Sequence, residues 1–177
     1  DSSNDCVQDC DGTWGGDLEN DECGDCGGDG PQENYNCDEI PDQFSWSQSE
    51  FQSFYIISDA VIDNYPLEEG LDWIGAFYDN TCVGARKWNG SGTDVPVMGI
   101  DGDVHITQDY IPSGEKPYFI IYDHSENNYY ETYIDYNSDD DLIFNNSMLE
   151  FHFVNKLRVV RDCDGNLGAI NGEPYLD

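Results

Sequence analysis

Residues 72–88 read DWIGAFYDNTCVGARKW. Two runs of aromatic, β-branched and small residues, Asp72 to Tyr78 and Thr81 to Trp88, flank the pair Asp79-Asn80. Asp and Asn tolerate the left-handed backbone that a two-residue hairpin turn demands, so the stretch predicts two antiparallel strands joined at that pair. The same pattern extends outward. Further strands are predicted at Ser53 to Ile62, Pro117 to Asp123, Tyr129 to Asp135 and Leu149 to Val160, with a second hairpin turn at Ser125 to Asn128. Leu149, Phe151 and Phe153 alternate with Glu150, His152 and Val154, the period-2 pattern of a strand with one buried face. No stretch long enough for a helix keeps a 3.6-residue period. The expected fold is all-β: an antiparallel β-sandwich of immunoglobulin-like or jelly-roll type.

The 177 residues suit one principal domain, and composition divides them in three. Residues 1–43 hold 14 Asp and Glu and no Lys or Arg, with Val7, Trp14, Leu18 and Ile40 almost the only bulky apolar side chains. Such a segment cannot build a hydrophobic core and must be ordered by crosslinks and bound ions. Residues 44–160 form the expected sandwich domain, and 161–177 a C-terminal half-repeat.

Charge decides which partners to expect. With 38 Asp and Glu against 6 Lys and Arg, the net charge is -32, and no basic residue precedes Arg86. So negative a field repels nucleic acid and anionic membranes and opposes compaction unless cations neutralise it. A salt-adapted surface and a DNA mimic are the competing explanations of that charge. No apolar run approaches the roughly 18 residues of a membrane span. The chain begins at Asp1 without Met or an apolar signal region, so a targeting segment is expected to have been removed and the protein to be extracellular or at the cell surface.

Seven cysteines point the same way, since Cys6, Cys10, Cys23, Cys26 and Cys37 crowd into the acidic segment and Cys163 lies near the other end. Zinc would need a second well-spaced pair or a nearby His beside Cys23 and Cys26, and neither is present. Disulfides among these six in an oxidising compartment are expected, with the pairing left open by spacing. Cys82, on a predicted strand, is expected to be the unpaired, buried one. Asn89-Gly90-Ser91 and Asn145-Asn146-Ser147 make Asn89 and Asn145 candidate glycosylation sites.

Calcium is the cation to expect, because it takes six to eight oxygen ligands and glycine turns present carbonyls beside closely spaced Asp. The candidate ligands are Asp9, Asp11, Asp21, Asp25 and Asp29, with Asp162 and Asp164 at the other end, where DCDG recurs at 162–165. DCDGTWGGDLENDECGDCGGDG, residues 9–30, resembles the thrombospondin type 3-like calcium-binding repeats of bacterial surface proteins. The resemblance implies Asp-rich loops around calcium, with disulfides in place of a core. The regular DxDxDG ladder is absent. DWIGAFYDNTCVGARKW, DVPVMGIDGD and PYFIIYD are similar to an accessory β-module preceding such repeats in secreted proteins, which implies location and architecture only. Asp135, Asn137 and Asp139 begin like an EF-hand loop but lack its turn glycine and its final Glu.

Catalytic patterns are weak. His105, His124 and His152 are scattered, with no HExxH or GxSxG motif, and a pair of carboxylates for glycoside hydrolysis could be drawn from almost anywhere. The expectation is a non-enzymatic structural protein, a calcium-stabilised subunit self-associating head to tail into a homopolymeric surface filament. The alternative is a carbohydrate-binding or adhesion module with glycan partners, using Trp46, Trp73, Trp88 and the tyrosines as a stacking platform.

Overall fold

The computed structural model describes residues 7–102, 105–135, 142–145 and 149–160. The chain divides into two compact units, Asp1–Asp42 and Gln43–Asp177. Apart from two three-residue 3-10 turns, the elements described are all strands, so the expected all-β class holds.

Two long stretches of the second unit run side by side and bend together. The predicted strand at Ser53 to Ile62 divides into β1 (Gln52–Ile57) and β2 (Ala60–Ile62), and the one at Leu149 to Val160 divides into β10 (Glu150–Val154) and β11 (Lys156–Val159). β1 pairs with β10 and β2 with β11, both in parallel, where the sequence reading expected antiparallel strands. At the bend Ser58 donates to the Val154 carbonyl and Leu157 to that of Asp59, both at 2.9 Å, so no ladder bond is lost in turning the corner. Parallel pairing requires a long crossover, and the chain between β2 and β10 supplies it.

That chain forms β3 (Tyr65–Pro66), β4 (Trp73–Tyr78), β5 (Thr81–Lys87), β6 (Thr93–Met98), β7 (Tyr118–Asp123), β8 (Asn128–Glu131) and β9 (Tyr133–Asp135). Three sheets result among the described residues, in the orders β10-β1-β6, β3-β2-β11-β9 and β5-β4-β7-β8. The hairpin turn at Asp79-Asn80 is present, with Asp79 at φ 49°. In the turn at Ser125 to Asn128, Asp123 Oδ1 accepts the N–H groups of Ser125 (2.8 Å) and Glu126 (3.0 Å). β6 carries Pro96, which withdraws a donor from any ladder, and its place at the end of its sheet accommodates that loss.

One core serves all three sheets. Tyr55, Ile57, Ile74, Val83, Val95, Ile111, Phe119, Phe144, Val154 and Leu157 belong to it, and Tyr55 hydrogen-bonds the Leu142 carbonyl at 2.9 Å. A bulge lies opposite Ala76 and Phe77, and Cys82, Val83, Gly84 and Ala85 are buried in succession, so β5 is covered on both faces. Gly84 is obligatory there, because a Cβ would overlap the Pro96 carbonyl of β6. Cys82 is buried and free, as expected, and burial pushes its thiol up to about 12, so it stays protonated and inert.

The outcome at β10 is the reverse of the simplest expectation. His152 and Val154 face the core, and Leu149, Phe151 and Phe153 are 54, 55 and 64% exposed. Register is the cause: Tyr55 lies opposite His152 and the rings stack at 4.5 Å, so the inward face of β1 places the smaller polar ring of β10 inside.

Asp72 ties two turns to this framework. Its Oδ2 accepts the Glu68 N–H (2.7 Å), its Oδ1 that of His124 (3.0 Å), and its carbonyl that of Trp88 (2.8 Å). Burial holds its carboxyl above the usual value of 3.8, against the N–H bonds from His124 and Glu68 that lower it. The charged form is therefore penalised in the fold. The corresponding stability is complete below the unfolded value and is lost as pH rises through the folded one. Asp72→Ala should cost about 2–4 kcal/mol in urea unfolding by orphaning two N–H groups. The wild-type minus Asp72→Asn stability difference should fall as pH rises between about 3 and 7, and a flat difference would contradict the assignment.

Candidate functional site

Residues 7–42 are built from one turn used three times, anchored on Asp9, Asp21 and Asn36. Each anchor's Oδ1 accepts the N–H groups two and four residues on. These are Asp11 (3.2 Å) and Thr13 (2.7 Å), Cys23 (2.9 Å) and Asp25 (2.8 Å), and Asp38 (2.9 Å) and Ile40 (3.0 Å). The anchor's own N–H donates to the carbonyl four residues on, at 3.0, 2.9 and 2.9 Å, and bridges close at Gln8/Trp14, Asn20/Cys26 and Tyr35/Pro41. Three residues after each anchor the backbone turns left-handed, at Gly12 (φ 83°), Gly24 (88°) and Glu39 (58°). Gly16 and Gly28, seven residues on in the first two copies, leave room for the anchor, since a Cβ at either would overlap the Asp9 or Asp21 carboxylate.

The crosslinks join copy to copy. Cys10 bonds Cys26, linking the first to the second, and Cys23 bonds Cys37, linking the second to the third, with Cα separations of 5.5 and 5.3 Å. Closing loops of 16 and 14 residues contributes roughly 3 kcal/mol each in the chain-entropy model. Something must supply this order, because Pro41 alone is buried among residues 7–42. Cys6 and Cys163 lie outside the described residues.

Of the candidate calcium ligands, Asp9 and Asp21 are half-buried anchors, Asp11, Asp25 and Asp29 are exposed, and Asp162 and Asp164 lie outside the described residues. Asp21 commits both oxygens to N–H groups, Oδ2 binding Gly30 at 2.9 Å. Those bonds, that from Asp25 first, hold its carboxyl below the usual carboxylate range. The donor chemistry suits a hard cation, since oxygens abound and no Lys or Arg competes. The gathering is missing: among the described residues no three carboxylate, His or Cys side chains converge to hold one ion. Calcium here would draw on the exposed Asp11, Asp25 and Asp29 together with backbone carbonyls and water.

The other candidates divide between framework and surface. Asp135 forms a two-point pair with Arg158, at 3.1 Å through each oxygen, so it has a structural partner; Asn137 and Asp139 lie outside the described residues. Trp88 is core and Trp46 packs against it, whereas Trp14, in the first unit, is 67% exposed. His105 is exposed, His124 half-buried and His152 buried. Asn89 and Asn145 are both exposed, but the Asn145 amide donates to the Glu150 carboxylate at 3.2 Å, a bond that glycosylation would surrender. Among the described residues no helix is long and apolar enough to cross a membrane.

No family model, curated protein or solved structure matches the chain.

Sequence reasoning related DCDG at 9–12 to 162–165 but passed over the threefold turn within residues 7–42, with Asn36 as its third anchor. The signal was an Asp or Asn followed three residues later by a left-handed position, blurred in the third copy by Glu39. Because the Asp21 carboxyl is held low, its contribution to order is present above its unfolded value of 3.8 and is lost as pH falls through the folded one. At neutral pH, Asp21→Ala should speed limited proteolysis within residues 19–30 well beyond Asp29→Ala, which removes an exposed carboxylate with no such bonds. Equal cleavage rates would show that the anchor does not order the turn.

Proposed function

We propose that this chain is an extracellular structural protein, its N-terminal unit calcium-binding and its copies joined head to tail into a surface filament. One observation carries the reading. Residues 7–42 take their order from interlocked disulfides and side-chain-to-backbone turns with almost nothing buried, a construction that lasts only in an oxidising compartment. A unit so built has no hydrophobic cleft to offer a substrate, but it makes a crosslinked tether. On this reading the three sheets of the second unit are a β-sandwich of immunoglobulin-like or jelly-roll type serving as the body of the subunit. The C-terminal DCDG at 162–165 would continue the repeat series into a neighbour, where Cys163 of one copy and Cys6 of the next supply the covalent link. A contact of that kind is heterologous and propagates unless its rotation closes a ring.

The adhesion reading has one observation in its favour, the exposed aromatic side chains of β10 beside Phe54. A sugar platform needs hydrogen-bonding groups among its rings; beside Ile56 and Leu149 the outward side of the two strands offers Gln52 alone, and its amide oxygen already accepts from Gln48 at 3.0 Å. The assembly reading is therefore preferred.

Calcium binding in the usual extracellular range of about 0.1–1 mM should stabilise by roughly 1–3 kcal/mol per site at millimolar concentration. Thermal melting and limited proteolysis with and without chelator measure it, and chelation should loosen residues 7–42 first. Unchanged behaviour would dismiss calcium and leave the charge as salt adaptation. Non-reducing electrophoresis of native material should show a ladder of multimers that reduction collapses and Cys163→Ser abolishes. A monomer without reductant would dismiss the covalent link.

A further inference from the structure

We infer that the outward face of the β1–β10 pair is a contact surface for a second copy of this chain, a side-by-side contact between copies already joined end to end. It rests on the assembly reading above. The face is assembled by register: with Tyr55, Ile57, His152 and Val154 buried, Phe54, Ile56, Phe151 and Phe153 point outward. Phe54 lies opposite Phe151 with rings 5.9 Å apart and 23° from parallel, and Ile56 lies opposite Phe153. A solvated sheet face ordinarily alternates to polar residues at these positions. Here the solvent side is the more apolar one.

Charge selects the occupant. On a chain of net charge -32, the outward positions of β1 and β10 hold no carboxylate. Asp94, in register with Ile56 on β6, is bound by Arg86 at 3.3 Å. Repulsion between exposed charges is screened over about 8 Å at physiological salt, so a neutral strip is where two such acidic bodies can touch. A basic partner, the natural complement of the rest of the surface, would find on this face only Asp94, which Arg86 already pairs. An anionic lipid surface would be repelled by the field around it.

Area selects the circumstance. The exposed fractions of Leu149, Phe151 and Phe153 with the half-buried Phe54 and Ile56 amount to about 400 Å² per copy, or about 800 Å² for a pair, against the roughly 1,200 Å² of a stable interface. Free copies would not stay paired by this contact. Copies tethered by another link meet at effective concentrations of about a millimolar, where so small a contact is enough.

The test is Phe151→Ser with Phe153→Ser in native assembled protein. Ile56→Thr with Phe54→Thr on the neighbouring strand serves as an independent second variant should the first fold poorly. Electrophoresis without reductant reads the end-to-end link; electron microscopy and sedimentation read side-by-side association. Both variants should keep the ladder and weaken lateral association about tenfold or more, while Phe151→Leu with Phe153→Leu should retain it. A retained ladder with undiminished lateral association in both variants overturns the inference and leaves the assembly reading standing. A wild type that forms no multimers overturns the assembly reading and the inference with it. Retention of single wild-type copies on insoluble polysaccharide, lost in the variants while lateral association persists, overturns the inference in favour of a glycan platform.

Discussion

The parallel pairing of residues 52–62 with residues 150–159 is the constraint on which the second unit depends. Two strands far apart in sequence lie together, bend at Ser58-Asp59 and Asn155, and so belong to two sheets at once. The bend keeps its hydrogen bonds, so the corner costs little, and the residues between become a crossover that must return over the same core. Register then does the rest. Tyr55 fills the interior, its hydroxyl is satisfied by Leu142, and burial raises its phenol far above the ordinary value. His152 stacks on it and Glu150, beside it, reaches Asn145. The outward apolar strip is the other side of that arrangement.

The first unit meets a different constraint. Fourteen carboxylates in residues 1–43 without a basic partner cannot be condensed by a hydrophobic core that the segment lacks. The anchors convert part of that liability into structure: a carboxylate or amide oxygen takes up backbone N–H groups that a turn would otherwise expose to water. Asn36 does the work of Asp9 and Asp21, which shows that the turn requires an oxygen acceptor and not a charge. The remaining carboxylates, Asp11, Asp25 and Asp29 among them, stay outside and exposed.

Local chemistry was legible in the sequence and long-range geometry was not. The Asp79-Asn80 turn, the strands on either side of it and the burial of Cys82 follow from residues a few positions apart, and all are present. Alternation at 149–154 announced a strand correctly but could not say which face was inside, because a period of two is symmetric until a partner strand is known. β6 escaped notice because Pro96 argues against a strand unless its place at the end of a sheet is known. Disulfide spacing was silent on pairing. Cys10 reaches past Cys23, the nearer candidate, to Cys26, and Cys23 pairs onward with Cys37 of the third copy.

The proposed assembly would have to reconcile two opposed requirements, a field strong enough to keep copies soluble and contacts strong enough to keep them together. The distribution of residues meets both by separation. Charge is carried by solvent-facing positions and by the turns of the first unit, where it is screened over about 8 Å at physiological salt. One apolar strip lies on the β1–β10 pair, where neither of the two strands adds charge on the outward side. Had Leu149, Phe151 and Phe153 faced the core, the same strand would have presented Glu150 and His152 outward, and no neutral patch would exist on that sheet. The parallel register therefore decides more than packing. By turning His152 inward against Tyr55, it leaves Phe151 and Phe153 outward, the strip on which the proposed contact between copies rests.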